Sequence, residues 1–148
     1  MASKMIHWAT ATGDYLNIGK RFNIGMLILR VTVGCLIMFG HGWGKLAHFG
    51  TRLETFSDPL GFGSAVSLTL ATFAEFFCGI AIVFGLLTRL SVIPLIITMM
   101  TAAFVVHADD PFGKQELPIL YLLSFVTIFI MGAGRYSLDN FMLGGKSK

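Results

Sequence analysis

Polar residues break this chain only at long intervals, and the apolar runs between them cover residues 22–46, 65–87, 90–107 and 117–133. Each run approaches or exceeds the roughly 20 residues that carry an α-helix through a hydrocarbon core of about 30 Å. The pattern predicts an all-α polytopic membrane protein, an antiparallel bundle of four transmembrane helices. Residues 1–21 form an N-terminal segment, 22–139 the membrane domain and 140–148 a polar tail.

The breaks carry turn chemistry. Thr88-Arg89 leaves so little chain between the second and third runs that these helices must be antiparallel neighbours. Ser57-Asp58-Pro59 and Gly61-Phe62-Gly63 mark the first long loop, and Ala108-Asp109-Asp110-Pro111-Phe112-Gly113 the second. Pro94 and Pro118 fall near the starts of their helices, where a missing N–H matters least. There is no internal repeat and no low-complexity linker.

Composition agrees with a lipid setting. The 148 residues are 55% hydrophobic and 13% charged, with a mean hydropathy of +0.75, and no soluble-domain-sized segment remains. Asp14, Tyr15, Asn17 and Lys20 interrupt the N-terminal segment, so it is not read as a secretory signal. Its Ile6, Trp8, Tyr15, Leu16 and Ile18 suit an interfacial helix or a loose tail.

Basic residues assign the sides. Lys4, Lys20, Arg21, Arg89, Arg135, Lys146 and Lys148 flank the spans at the termini end, seven against the three of Lys45, Arg52 and Lys114 at the other. Cytoplasmic flanks carry the Lys and Arg excess, so both termini are expected in the cytoplasm of a bacterium, the chain lying in its inner membrane. The net charge of +3 then reflects topology and attraction to anionic lipid. No basic patch interleaved with aromatics suggests nucleic acid.

Candidate chemistry begins on the first helix. At 100° per residue Arg30 and His41 lie within about 20° of each other, with Asn23, Gly34 and Lys45 in the same roughly 60° sector. A charged stripe of this kind must face the bundle or a wet cavity, because lipid exposure costs about 2.5 to 3.5 kcal/mol per charge. Glu75, the one acid near mid-membrane, is the expected partner of Arg30 in a buried ion pair. His41, Lys45, His107, Asp109 and Glu116 should form a second cluster nearer the outer face. Gly40-x-x-x-Gly44 is a candidate close-approach motif.

Other chemistry is weaker. Cys35 and Cys78 lack a Cys-x-x-Cys pattern and read as small core residues. Haem ligation by His41 and His107 is disfavoured by their difference in depth. His107, Asp109, Asp110 and Glu116 offer oxygen ligands, but on an outer loop they read as solvated charge, and no metal site is assigned.

Arg30, His41-Gly42-x-Gly44-Lys45-Leu46, Glu75-x-x-x-Gly79, Gly85-Leu86-Leu87-Thr88-Arg89, His107, Glu116 and Gly132-x-Gly134-Arg135-Tyr136-Ser137-Leu138-Asp139 occur in that order. This ordered set, from Arg30 to Asp139, resembles the DoxX family of small four-helix membrane proteins. The resemblance implies four spans with both termini cytoplasmic. Its functional implication is divided: some relatives are the membrane subunit of a thiosulfate:quinone oxidoreductase, and others associate with oxidative-stress and thiol metabolism. Nothing in this sequence selects the thiosulfate branch.

Three function classes remain open. The first is a redox-associated subunit in which His41, Lys45, His107 and Glu116 hold a quinone, with Glu116 steadying one imidazole and Phe39, Trp43 and Phe104 lining the ring site. The second is a non-catalytic anchor for a soluble oxidoreductase, docking at a cytoplasmic face around Arg89, Arg135 and Asp139. The third is a small transporter or proton pathway, for which four helices would need to form a homo-oligomer.

Overall fold

The computed structural model describes residues 15–142, and within them only helices and turns occur. Helix α1 comprises Tyr15–Ile37, a π-helical turn at Met38–Gly42 and Trp43–Ala47. A helical turn at Phe49–Arg52 and a loop lead into α2, Ser64–Phe84, which carries a second π-helical stretch at Phe73–Cys78. Helix α3 spans Thr88–Val106, the last five residues again π-helical, α4 spans Phe112–Met131, and a short α5 covers Leu138–Met142. Four of these, including Gly19–Ala47 of α1, are long and apolar enough to cross a membrane. Most of the N-terminal segment and residues 143–148 of the tail lie outside the described residues.

Each helix buries one stripe at helical spacing: Met26, Arg30, Val33 and Ile37 on α1, Val92, Leu95 and Met99 on α3, and Pro118, Tyr121, Phe125 and Ile128 on α4. Helix α2 contributes Leu68, Cys78 and Ile82. The opposite faces show Leu36, Phe77, Leu90, Leu123 and Ile130 to the surroundings, a density of exposed apolar side chains that suits lipid. Successive helices are antiparallel neighbours, and α4 returns to α1.

The close approach of α1 and α2 does not use Gly40 and Gly44, around which a Cβ would meet nothing. Contact is made at Gly34, where a Cβ would press 2.7 Å from Val83 Cγ2, and at Gly42, 2.7 Å from the Phe76 nitrogen and 2.8 Å from the Glu75 carbonyl carbon. Helix α4 begins at Phe112, before its apolar run, so Pro118 stands in the second turn.

Candidate functional site at the end opposite the termini

The four helices enclose two polar regions, one at each end. At the termini end Arg30, 1% exposed, does not meet Glu75. Its Nη1 donates to the carbonyls of Ile82 (2.8 Å) and Val83 (3.0 Å), and its Nη2 to that of Tyr136 (2.6 Å). These carbonyls lie at the negative end of α2, where that of Ile82 also accepts from the Gly85 N–H at 3.0 Å, and in the segment after α4. The guanidinium therefore caps one helix and ties down another segment. The reason is register: with Gly42 packed on Glu75, the acid sits level with residue 42 of α1, roughly 18 Å along the axis from Arg30 at 1.5 Å per residue.

Asp139 belongs to the same end. Its Oδ1 accepts from the Leu87 N–H (2.6 Å) and its Oδ2 from the Thr88 N–H (2.9 Å), capping α3 from a distant part of the chain. Arg89 is exposed and gives one long hydrogen bond of 3.4 Å to the Ile130 carbonyl. Arg135 is exposed, and its backbone N–H donates to Asn23 Oδ1 at 2.7 Å.

At the opposite end a cavity of about 400 Å³ opens between α1, α2, α3 and α4. Ile37, Leu70, Ile97, Met99, Pro118 and Tyr121 supply apolar walls, and Phe56, Pro59 and Phe62 of the first loop border it. Its charged and imidazole side chains are His41, Lys45, Glu75, His107 and Lys114. Lys45 Nζ donates to Glu75 Oε2 at 2.5 Å, with side-chain exposures of 14% and 6%. The sequence thus supplies a buried ion pair, but with Lys45 in place of Arg30.

The three π-helical turns all lie at this cavity. An i→i+5 turn inserts a residue into the helix and rotates the remainder of it. On α1 the Trp43 N–H bonds to the Met38 carbonyl around His41, on α2 the π stretch contains Glu75, and on α3 the His107 N–H reaches the Ala102 carbonyl at 3.0 Å. The first turn carries Gly40 and Gly42 and the second Glu75, while the third is a plain apolar stretch.

Three of the four expected ligand residues, His41, Lys45 and His107, line the cavity. Glu116 does not: it is exposed, about 200° round α4 from the buried Pro118 and from Lys114, which borders the cavity. Asp110 takes the role expected of Glu116, its Oδ2 standing 2.8 Å from His107 Nδ1 and its Oδ1 accepting from Lys114 Nζ at 3.0 Å. The hydrogen bond from His107, then that from Lys114, holds the Asp110 carboxyl below its ordinary range. Asp109 is exposed. Phe39, Trp43 and Phe104 are exposed as well and do not form the ring site, since Phe39 and Trp43 each lie about 200° from His41 on the wheel.

Sequence reasoning misses Tyr121. Its ring meets His41 edge to face at a centroid distance of 5.9 Å and stacks on Phe125 at 6.0 Å. The available signal is the spacing of Lys114, Pro118, Tyr121 and Phe125, which puts a tyrosine on the inner stripe of α4. Cys35 is partly buried and Cys78 buried, both as free thiols.

The family model for DoxX matches residues 25–108, more than half of the chain. The chain belongs to the DoxX family. A Bacillus subtilis protein named "Putative oxidoreductase CatD" is 32% identical over 130 residues, covering 87% of this chain and 95% of its own length. The "Inner membrane protein YqjF" of Escherichia coli is 31% identical over 130 residues, covering 83% of this chain and 95% of its own length. No solved structure gives a significant match. This DoxX-family chain is a membrane protein, with lipid around its four apolar spans.

Proposed function

We propose that this protein is a redox-associated subunit of the bacterial inner membrane whose outer cavity binds the headgroup of a lipophilic quinone. The observation that carries the reading is an apolar cavity with a few convergent polar groups: Lys45 paired with Glu75, His41 against Tyr121, and His107 beside Asp110. That combination is the usual character of a small-molecule site. A quinone presents two carbonyl oxygens on a flat apolar ring. Lys45 and His41 can donate to one oxygen, and His107 to the other. Reduction to the quinol consumes two electrons and two protons. Imidazole side chains can both give and take a proton and so suit the exchange, while the electrons come from a soluble oxidoreductase partner. The word oxidoreductase in the name of the B. subtilis relative is consistent with this class.

Orientation belongs to the same proposal. The seven-to-three excess of Lys and Arg at the termini end supports cytoplasmic termini, and the name of the E. coli relative supports the inner membrane. The cavity then opens toward the periplasmic leaflet.

Calorimetric titration of the detergent-solubilised protein with decylubiquinone tests the reading. One saturable site in the wild type, weakened about tenfold or more in His41→Ala, is expected, since a lost hydrogen bond to a ligand is worth on the order of 1.5 kcal/mol. Non-saturable heat, or equal affinity in the variant, would reject the quinone site.

A further inference from the structure

We propose that the groove at the termini end of the bundle seats an anionic phospholipid, its phosphodiester held between Arg89 and Arg135. This site is separate from the outer cavity and does not depend on the quinone reading.

The groove, about 770 Å³ in volume, lies where the end of α4 and the start of α3 meet the first turns of α1, and Phe22, Asn23, Leu90, Met131, Arg89 and Arg135 line it. Both arginines are exposed, and none of the ion pairs among the described residues uses either. Arg89 spends one donor on a 3.4 Å hydrogen bond to Ile130. Its Nη2 and Nε pass 3.7 and 3.8 Å from where a Cβ on Gly132 would stand, so no side chain covers the guanidinium there. Arg135 is fixed at its backbone by Asn23, and its guanidinium makes no hydrogen bond among the described residues.

The groove's one acid, Asp139, forms no ion pair with either arginine among the described residues: both its carboxylate oxygens accept from the N–H groups of Leu87 and Thr88. Two guanidinium forks are thus left to a ligand, and planar bidentate recognition of phosphate is what that group does best. Depth and greasiness identify the source of the phosphate. The groove sits at the ends of membrane-spanning helices, and Leu90 and Met131 are exposed beside the arginines. Acyl chains can run along those residues while the headgroup meets the charges, as at other basic pockets between spans.

Native mass spectrometry of the detergent-purified protein, titrated with phosphatidylglycerol and with phosphatidylcholine of the same chains, tests the site. At about fivefold per arginine, phosphatidylglycerol should bind about 25-fold more tightly than phosphatidylcholine. Arg135→Ala should cost about fivefold of that preference and Arg89→Ala with Arg135→Ala should abolish it, whereas Arg52→Ala at the opposite end should change nothing. Arg135→Ala removes no side-chain hydrogen bond seen in the structure, so it reports on the site even if the double variant fails to fold. Equal binding of the two lipids, wild-type affinity in Arg135→Ala, or an equal loss in Arg52→Ala would overturn the proposal. Full displacement of phosphatidylglycerol by millimolar inorganic phosphate would also overturn it, by assigning the arginines to a soluble anion.

Discussion

Lys45 closes on Glu75 at 2.5 Å, and that contact leaves Arg30 to bind backbone carbonyls at the other end of the bundle. Two charges on one stripe of α1 therefore do different work. Lys45 answers the acid of α2 at the wall of a cavity, whereas Arg30 answers the negative end of the α2 helix itself.

The division predicts which residues couple. Lys45→Met or Glu75→Gln alone should destabilise the protein by about 3 kcal/mol, and the double variant should cost less than the sum. Arg30→Ala combined with Glu75→Gln should instead add to within about 0.5 kcal/mol, because the groups are far apart and share no partner. Unfolding in a denaturing-detergent titration measures all five variants. Strong coupling of Arg30 to Glu75 would contradict the geometry.

Arg30 should resist even a charge-preserving change. Lysine lacks the fork that reaches Ile82, Val83 and Tyr136 together, so Arg30→Lys should lose on the order of 2 kcal/mol or more in the same titration. Gly85→Ala should be comparably harmful, since Gly85 has φ +68° and the Arg30 guanidinium occupies the space a Cβ would take. A near-neutral Gly85→Ala would show that the cap is loosely held.

The spans were legible in the sequence because burying about 20 apolar residues leaves a signal that no other class of element produces. The pairing of charges was not legible, because it depends on register. Matching the midpoints of the apolar runs sets Glu75 level with about residue 35, yet Gly42 packs on its backbone. That is an offset of about seven residues, because the close contacts of Gly34 with Val83 and of Gly42 with Glu75 and Phe76, not the run midpoints, set how α1 and α2 stagger. Glu116 failed for a related reason. Helix α4 starts in the polar loop, so a periodicity read only from its apolar part did not show that Lys114 shares the inner stripe and Glu116 faces away. Position on the helix face did place His41 and Lys45 on the inner side, where both line the cavity, although the π turn at Met38–Gly42 offsets a simple rotation from Arg30.

The first loop gives a pH prediction. Asp58 accepts hydrogen bonds from Ser67 Oγ (2.7 Å) and from the N–H groups of Gly63 (2.7 Å) and Phe62 (3.0 Å). Led by the bond from Ser67, these hold its carboxyl below the ordinary range. An unfolded Asp titrates near about 3.9, so the order that Asp58 adds is complete above that pH and fades as pH falls through the lower folded value. Hydrogen exchange in residues 58–67, corrected for intrinsic rates, should speed up over that acid window. In Asp58→Asn it should be fast throughout; a pH step that survives in the variant would assign the effect to another group.

Orientation is open to chemical labelling. In intact spheroplasts a membrane-impermeant maleimide should modify Ser57→Cys, in the first loop, and spare Lys20→Cys, at the start of the first span. Cys35 and Cys78 are within the bundle and set the background. The reverse pattern would turn the cavity toward the cytoplasm.

The final expectation concerns the two acids near His107. Asp110 touches the His107 ring and Lys114, both of which line the cavity; Glu116 is exposed and touches neither. A carboxylate on Nδ1 fixes the tautomer and the direction of the imidazole, leaving Nε2 to face a ligand. Asp110→Asn weakens that hold by removing the charge, so it should lower decylubiquinone affinity by about fivefold to tenfold, the worth of one charge-assisted hydrogen bond. Glu116→Gln, at the acid expected from the sequence to steady the imidazole, should bind as the wild type does. Calorimetry on the two variants separates the alternatives: a loss confined to Glu116→Gln would mean that α4 turns its other face to the cavity.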